Sequence, residues 1–175
     1  MSNYRTAFKG VFDRYGKKTI KEARSNLTRK DKNVSRGLYE SLDYEVKFNP
    51  RSIEFRFTGN EYGAFQDQGV KGWKSSRKAP NSPFQFKSKM IPVEPITQWV
   101  RARRFQFQKK NGQFMSYEST AFLISRSVTF KGIEASEFLT RPATRNESIL
   151  EDGLLLGLEN LTDQIVSSAV RLDLN

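Results

Sequence analysis

A chain of 175 residues, 37% of them hydrophobic and 14 of them phenylalanine, can bury a substantial core, which argues against disorder and for one domain with extensions. It has neither cysteine nor histidine, which excludes a disulfide framework and a thiol nucleophile and removes the commonest general base and metal ligand. The net charge of +11 is unevenly spread: eleven bases between Lys71 and Lys110 face the single acid Glu94, whereas the last thirty residues carry Glu147, Glu151, Asp152, Glu159, Asp163 and Asp173 against Arg171.

Such a bipolar chain suits a basic surface facing a polyanion such as DNA, basic and acidic surfaces of neighbouring identical subunits meeting in a ring, or a solvated face with no partner. The N-terminus lacks the apolar stretch of a secretory signal, and nowhere do eighteen apolar residues run together. The expectation is a soluble protein made in a reducing cytosol, with no membrane partner.

In chain order, Tyr4, Phe8, Phe12, Tyr15, Ala23 and Leu27 form a helical stripe within 1–30, with Gly16 as a weak point costing about 1 kcal/mol relative to alanine. Lys17, Lys18, Lys21 and Arg24 lie mostly off it and read as a solvated face rather than a nucleic-acid contact. From Leu42 to Phe57 the period changes to two. Tyr44, Val46 and Phe48, then Ile53, Phe55 and Phe57 beyond the turn Asn49-Pro50-Arg51-Ser52, predict a β-hairpin with one buried and one wet face. Its simplest register pairs Phe48 with Ile53, Val46 with Phe55 and Tyr44 with Phe57.

Gly59 to Gly72 reads as turn-rich, and 70–90 as a long extended loop. In that loop Trp73, Phe84 and Phe86 alternate with bases, which favours an arm lying on a neighbouring subunit over a short strand of the same chain. Pro92 and Pro95 bracket the start of a helix that places Ile96, Trp99, Val100 and Phe107 together, before Asn111-Gly112 turns the chain. Ser116 is placed to cap a second helix, whose apolar face is expected from Tyr117, Ala121, Ile124 and Val128, widened by Phe122, Leu123 and Phe130. Gly132 should end it in a left-handed Schellman stop. After Phe138-Leu139 and a break at Pro142, Thr144 and Glu147 have capping-box spacing. A long C-terminal helix over 144–173 then follows the stripe Leu150, Leu154, Leu158, Leu161, Ile165, Ala169 and Leu172, with Gly153 and Gly157 opening a groove.

These elements predict an α+β fold, a small antiparallel β-sheet packed against several α-helices, as a single domain over 1–175 with its core at 38–143. Chemistry is sparse. Gly69-Val70-Lys71-Gly72 lacks the spacing of a phosphate-binding loop. Glu45 and Lys47, with Asp31 or Asp43 upstream, have the residue types of a metal-dependent nuclease, but their place on the wet side of an alternating strand favours exposed surface.

The order of Ser41-Leu42-Asp43-Tyr44-Glu45-Val46, Tyr62-Gly63-Ala64-Phe65-Gln66-Asp67-Gln68-Gly69, Ile91-Pro92-Val93-Glu94-Pro95-Ile96-Thr97-Gln98-Trp99-Val100, Ala121 to Val128, Lys131-Gly132-Ile133 and Phe138 to Ala143 resembles the neck and tail-completion proteins of tailed bacteriophages. The resemblance covers most of 38–143. It implies a structural virion protein rather than an enzyme, without a cofactor, made in the host cytoplasm. It implies a ring of copies at the head-to-tail junction, a homo-hexamer or a dodecamer, in contact with other neck, connector or tail-tube proteins. DNA would pass through the lumen without sequence specificity. On that expectation Trp73, Phe84, Phe86, Arg101 and Arg104 meet a neighbour carrying Glu151 and Asp152, and Lys71, Lys74, Arg77, Lys78, Lys87 and Lys89 face the lumen or the connector. A basic DNA-binding accessory protein is the alternative, with a nuclease behind it.

Overall fold

The computed structural model describes residues 3–30 and 36–172. Asp31 and Asp173 lie outside them, and so do the side chains of Tyr4, Ala169, Val170, Arg171 and Leu172. The protein is α+β, and its contacts divide it into two compact units, each assembled from separate stretches of chain. One comprises Met1–Leu27, Tyr39–Gly59 and Phe138–Asn175; the other comprises Thr28–Leu38 and Asn60–Glu137. Among the described residues no helix is long and apolar enough to cross a membrane.

The first unit is built on α1 (Asn3–Arg29), whose predicted stripe of Phe8, Phe12, Tyr15, Ala23 and Leu27 is buried, joined by Thr19 and Ile20. After α2 (Gly37–Ser41), the hairpin of β1 (Asp43–Phe48) and β2 (Ile53–Thr58) forms in the expected register, Phe48 opposite Ile53, Val46 opposite Phe55 and Tyr44 opposite Phe57. Its inner face is half-buried rather than buried. Phe55 is the centre of that face, with ring centroids 5.8 Å from Phe12, 5.2 Å from Tyr15, 5.7 Å from Tyr44 and 4.9 Å from Phe57. Gly16 is where Tyr44 lies against α1: a Cβ there would stand 2.7 Å from the ring. The Tyr44 hydroxyl donates to Asp13 at 3.0 Å, and burial, helped by that carboxylate, pushes its pKa up to about 12. The Lys9 hydrogen bond, against burial and with help from Tyr44, holds Asp13 below its usual range.

At the far end of this unit the proline break becomes a helix, α6 (Thr140–Arg145), because Pro142 falls in the first turn, where no N–H is required. Thr144 belongs to α6, so the expected capping box does not form, and α7 (Glu147–Leu172) starts directly after Asn146. Asn146 is buried instead, its amide donating to Thr19 at 3.4 Å and to Glu22 at 3.2 Å. Glu22 also pairs with Arg145. Burial pushes the Glu22 carboxyl up, but the Arg145 and Asn146 hydrogen bonds and the Arg145 charge more than reverse this, and it titrates below its ordinary value. The groove at Gly153 and Gly157 is filled by α1: Cβ atoms there would stand 2.5 Å from Val11 and 2.7 Å from Phe8.

In the second unit the stretch expected to be only turns contains α3 (Tyr62–Gln68), ended by Gly69 at φ 72°. Then β3 (Val70–Lys71) pairs antiparallel with β4 (Gly132–Ile133). Helix α4 (Val93–Ala102) is shorter than its apolar spacing suggests. Arg104 takes φ 51°, its N–H donates to Arg101 O, and the Phe105 N–H donates to Val100 O, which is the bonding of a Schellman stop. Phe107 therefore lies off the helix, on a tight turn through Asn111 and Gly112 closed by the Gln108–Phe114 bridge.

Helix α5 (Tyr117–Lys131) is capped as expected, Ser116 Oγ accepting the Ser119 N–H at 3.1 Å. Its buried face is not the large apolar one. Thr120, Ala121, Ser125 and Thr129 face inward, and Phe122 and Leu123 are exposed. Small side chains admit close neighbours, and the hydroxyls serve nearby backbone: Ser125 Oγ donates to Ile91 O at 2.7 Å and Thr129 Oγ1 accepts the Ile91 N–H at 3.2 Å. Gly132 ends α5 with φ 84° but ψ −179°, so the chain leaves as β4 and not through a Schellman stop.

Candidate functional site

The segment expected to form an arm is held against its own unit. Lys71 N–H donates to Phe84 O and Phe86 N–H to Lys71 O, both at 2.9 Å, which lays 84–86 parallel to β3. Trp73 N–H donates to Thr129 O at 2.8 Å, Lys74 N–H to Phe130 O at 3.1 Å, and Ser82 Oγ to Gly69 O at 2.7 Å. A chain bonded at this many points has its backbone groups satisfied internally and presents a surface instead of an arm.

That surface is an apolar groove of about 590 Å³. It is lined by Tyr62 and Phe65 of α3, by Phe84 and Phe86, and by Val70 and Ile133. Phe65 and Phe84 meet edge to face, with centroids 4.5 Å apart. Gln66, also in the lining, keeps its side-chain Nε2 buried without a hydrogen-bond partner. Sequence reasoning placed Phe84 and Phe86 in a contact surface but missed α3 and with it Tyr62 and Phe65. The usable signal was Gly69, a glycine stop following an aromatic pair at i, i+3 spacing.

Trp73 is exposed beside the groove-bearing chain, its ring 5.7 Å from Phe130, and Lys74 Nζ sits over both rings at 5.2 and 5.0 Å. Arg77, Lys78, Lys87 and Lys89 are exposed and Lys71 is partly covered, so the basic segment does face outward. Arg101, expected at a neighbour's acids, pairs within its own unit with Glu118 at 2.5 Å, and Arg104 is exposed at the α4 stop.

Glu151 and Asp152 are exposed on α7. The same helix leaves Leu155, Leu156, Leu158, Ile165 and Val166 between 54% and 68% exposed. At 100° per residue Leu155, Leu158, Thr162, Ile165 and Val166 share one stripe, with Asp152, Glu159 and Asp163 along one flank.

The residues weighed for nuclease chemistry stand on the outer strand face, where Lys47 Nζ lies 3.6 Å from Glu45, both well exposed. Among the described residues no group of three or more acids is placed to hold a metal ion. No protein-family model matches the chain, and no curated protein or solved structure is similar to it. The fold defines the class, an α+β protein that exposes an apolar groove and an apolar helix face.

Proposed function

We propose that this chain is a structural protein of a tailed-bacteriophage virion, self-associating as a ring around the DNA passage at the head-to-tail junction, in the manner of a neck or tail-completion subunit. The observation that carries the self-association is that the chain exposes large apolar side chains in two places of opposite electrostatic setting, the aromatic groove within its basic part and the leucine-rich face of the acidic α7. Grouped apolar exposure of this kind marks an interaction surface. Two different complementary surfaces on one chain favour head-to-tail contacts, which close into rings when the rotation permits. The resemblance of the sequence phrases to neck proteins supplies the place in the particle. The exposed bases Lys74, Arg77 and Lys78 then face the connector or the lumen. Changing all three to glutamate is expected to leave heads and tails unjoined in infected cells. Normal yields of infectious particles from that mutant would overturn the assignment of these bases.

A further inference from the structure

We propose that the open groove lined by Tyr62, Phe65, Phe84 and Phe86 receives the exposed face of α7 from a second copy of this chain, an inference that rests on the self-association above and names its contact. The groove asks for an apolar occupant, with an acidic border on the side of Phe84 and Phe86, since the exposed Glu61 and Glu134 adjoin Tyr62 and Ile133 on the other. Its walls are aromatic, its chain continues into Lys87 and Lys89, and Lys71 is bonded directly to the strand that carries Phe84 and Phe86. It also holds a buried donor, Gln66 Nε2, that an incoming carboxylate or carbonyl would satisfy after a small movement of the side chain.

The middle of α7 matches those requirements. Leu155, Leu158, Ile165 and Val166 recur at i, i+3, i+10 and i+11, the spacing by which a helix anchors in a groove, along about 16 Å of helix. Glu159 and Asp163 flank that stripe on one side. The charges on this side are complementary: α7 carries Glu147, Glu151, Asp152, Glu159 and Asp163, against Lys71, Lys87 and Lys89 in the segments that bear and pair with Phe84 and Phe86. Because one chain carries both groove and plug, each copy uses its α7 on one neighbour and its groove on the other.

The absence of cysteine makes a direct test clean, since one introduced thiol is unique in the chain. Full-length Gln85→Cys and Ile165→Cys variants, both at exposed positions and both checked for unchanged helix content, are mixed and mildly oxidised. A disulfide joining the two different variants is expected, at a yield at least about tenfold above either variant alone. Adding Asp163→Lys to the second variant should reduce that yield, and Lys87→Asp in the first should restore it. Light scattering on the unmodified chain separates the failures. Oligomers without the mixed disulfide would overturn this contact alone, and a monomeric mass at all concentrations would overturn the self-association with it.

Discussion

Gly132 and Gly112 share a backbone φ of 84° but not their surroundings, and replacing each with alanine separates two energies that usually arrive together. At Gly132 an added Cβ would stand 2.2 Å from Val70 O and 2.6 Å from Gly72 N, both backbone atoms at the β3–β4 pairing; at Gly112 it would meet nothing within 4 Å. Holding alanine at such a φ costs on the order of 1–3 kcal/mol, at the upper end at Gly132, where ψ of −179° adds to the demand for glycine. Forcing a methyl into close-packed backbone adds about 1–3 kcal/mol more at Gly132 alone. With a urea slope of about 1–2 kcal/mol per molar for a unit of this size, Gly132→Ala should unfold about 1–2 M earlier than Gly112→Ala. Both tryptophans, Trp73 and Trp99, belong to the unit that contains these glycines, so their fluorescence reports its unfolding. Coincident midpoints for the two variants would refute the reasoning that backbone contact at β3–β4 anchors the basic segment.

Arg104→Gly relieves a left-handed residue at the α4 stop and should raise the stability of the same unit by about 0.5–1 kcal/mol, read as a later fluorescence midpoint in urea. Glu22 and Asp13 titrate below their unfolded values of 4.5 and 3.8, so their contribution is present above those values and lost as pH falls through the lower folded ones. The urea midpoint of the helical circular dichroism should therefore fall as pH is lowered below about 4, and should fall less in Glu22→Gln. Tyr44, raised from 10.0 to about 12, should titrate later than an ordinary tyrosine in the ultraviolet spectrum, and Tyr44→Phe should remove that late step. The sign is opposite to that of the acids: the Tyr44 contribution is complete below pH 10 and is lost as pH rises through about 12.

The hairpin was readable residue by residue because its two halves are short, strictly alternating and joined by a turn whose residues fix the register. The α1 stripe was readable for the same reason, with period 3.6 in place of two. Helix α5 was not, since large apolar residues draw a periodicity argument toward Phe122 and Leu123 while the inward face is Thr120, Ala121, Ser125 and Thr129. The Ser125 and Thr129 hydroxyls partner the backbone of Ile91 and the Thr120 hydroxyl accepts the Phe107 N–H, demands set from thirty-four residues away in the case of Ser125. The end of α4 escaped because an arginine, not a glycine, takes the left-handed position, and Phe107 happens to continue the spacing beyond it. Half of the candidate groove was legible in Phe84 and Phe86. The other half needed α3, a seven-residue helix, and the parallel pairing of Lys71 with Gln85, which no local period encodes.

The proposed function is tested most directly by quantifying this protein in virus particles purified from its source, calibrated against a structural protein of known copy number. Six or twelve copies per particle are expected, the stoichiometry of a ring at the head-to-tail junction. Absence from particles would contradict it, and the basic segment from Lys71 to Lys110 would then have to be explained by nucleic-acid binding in the cell.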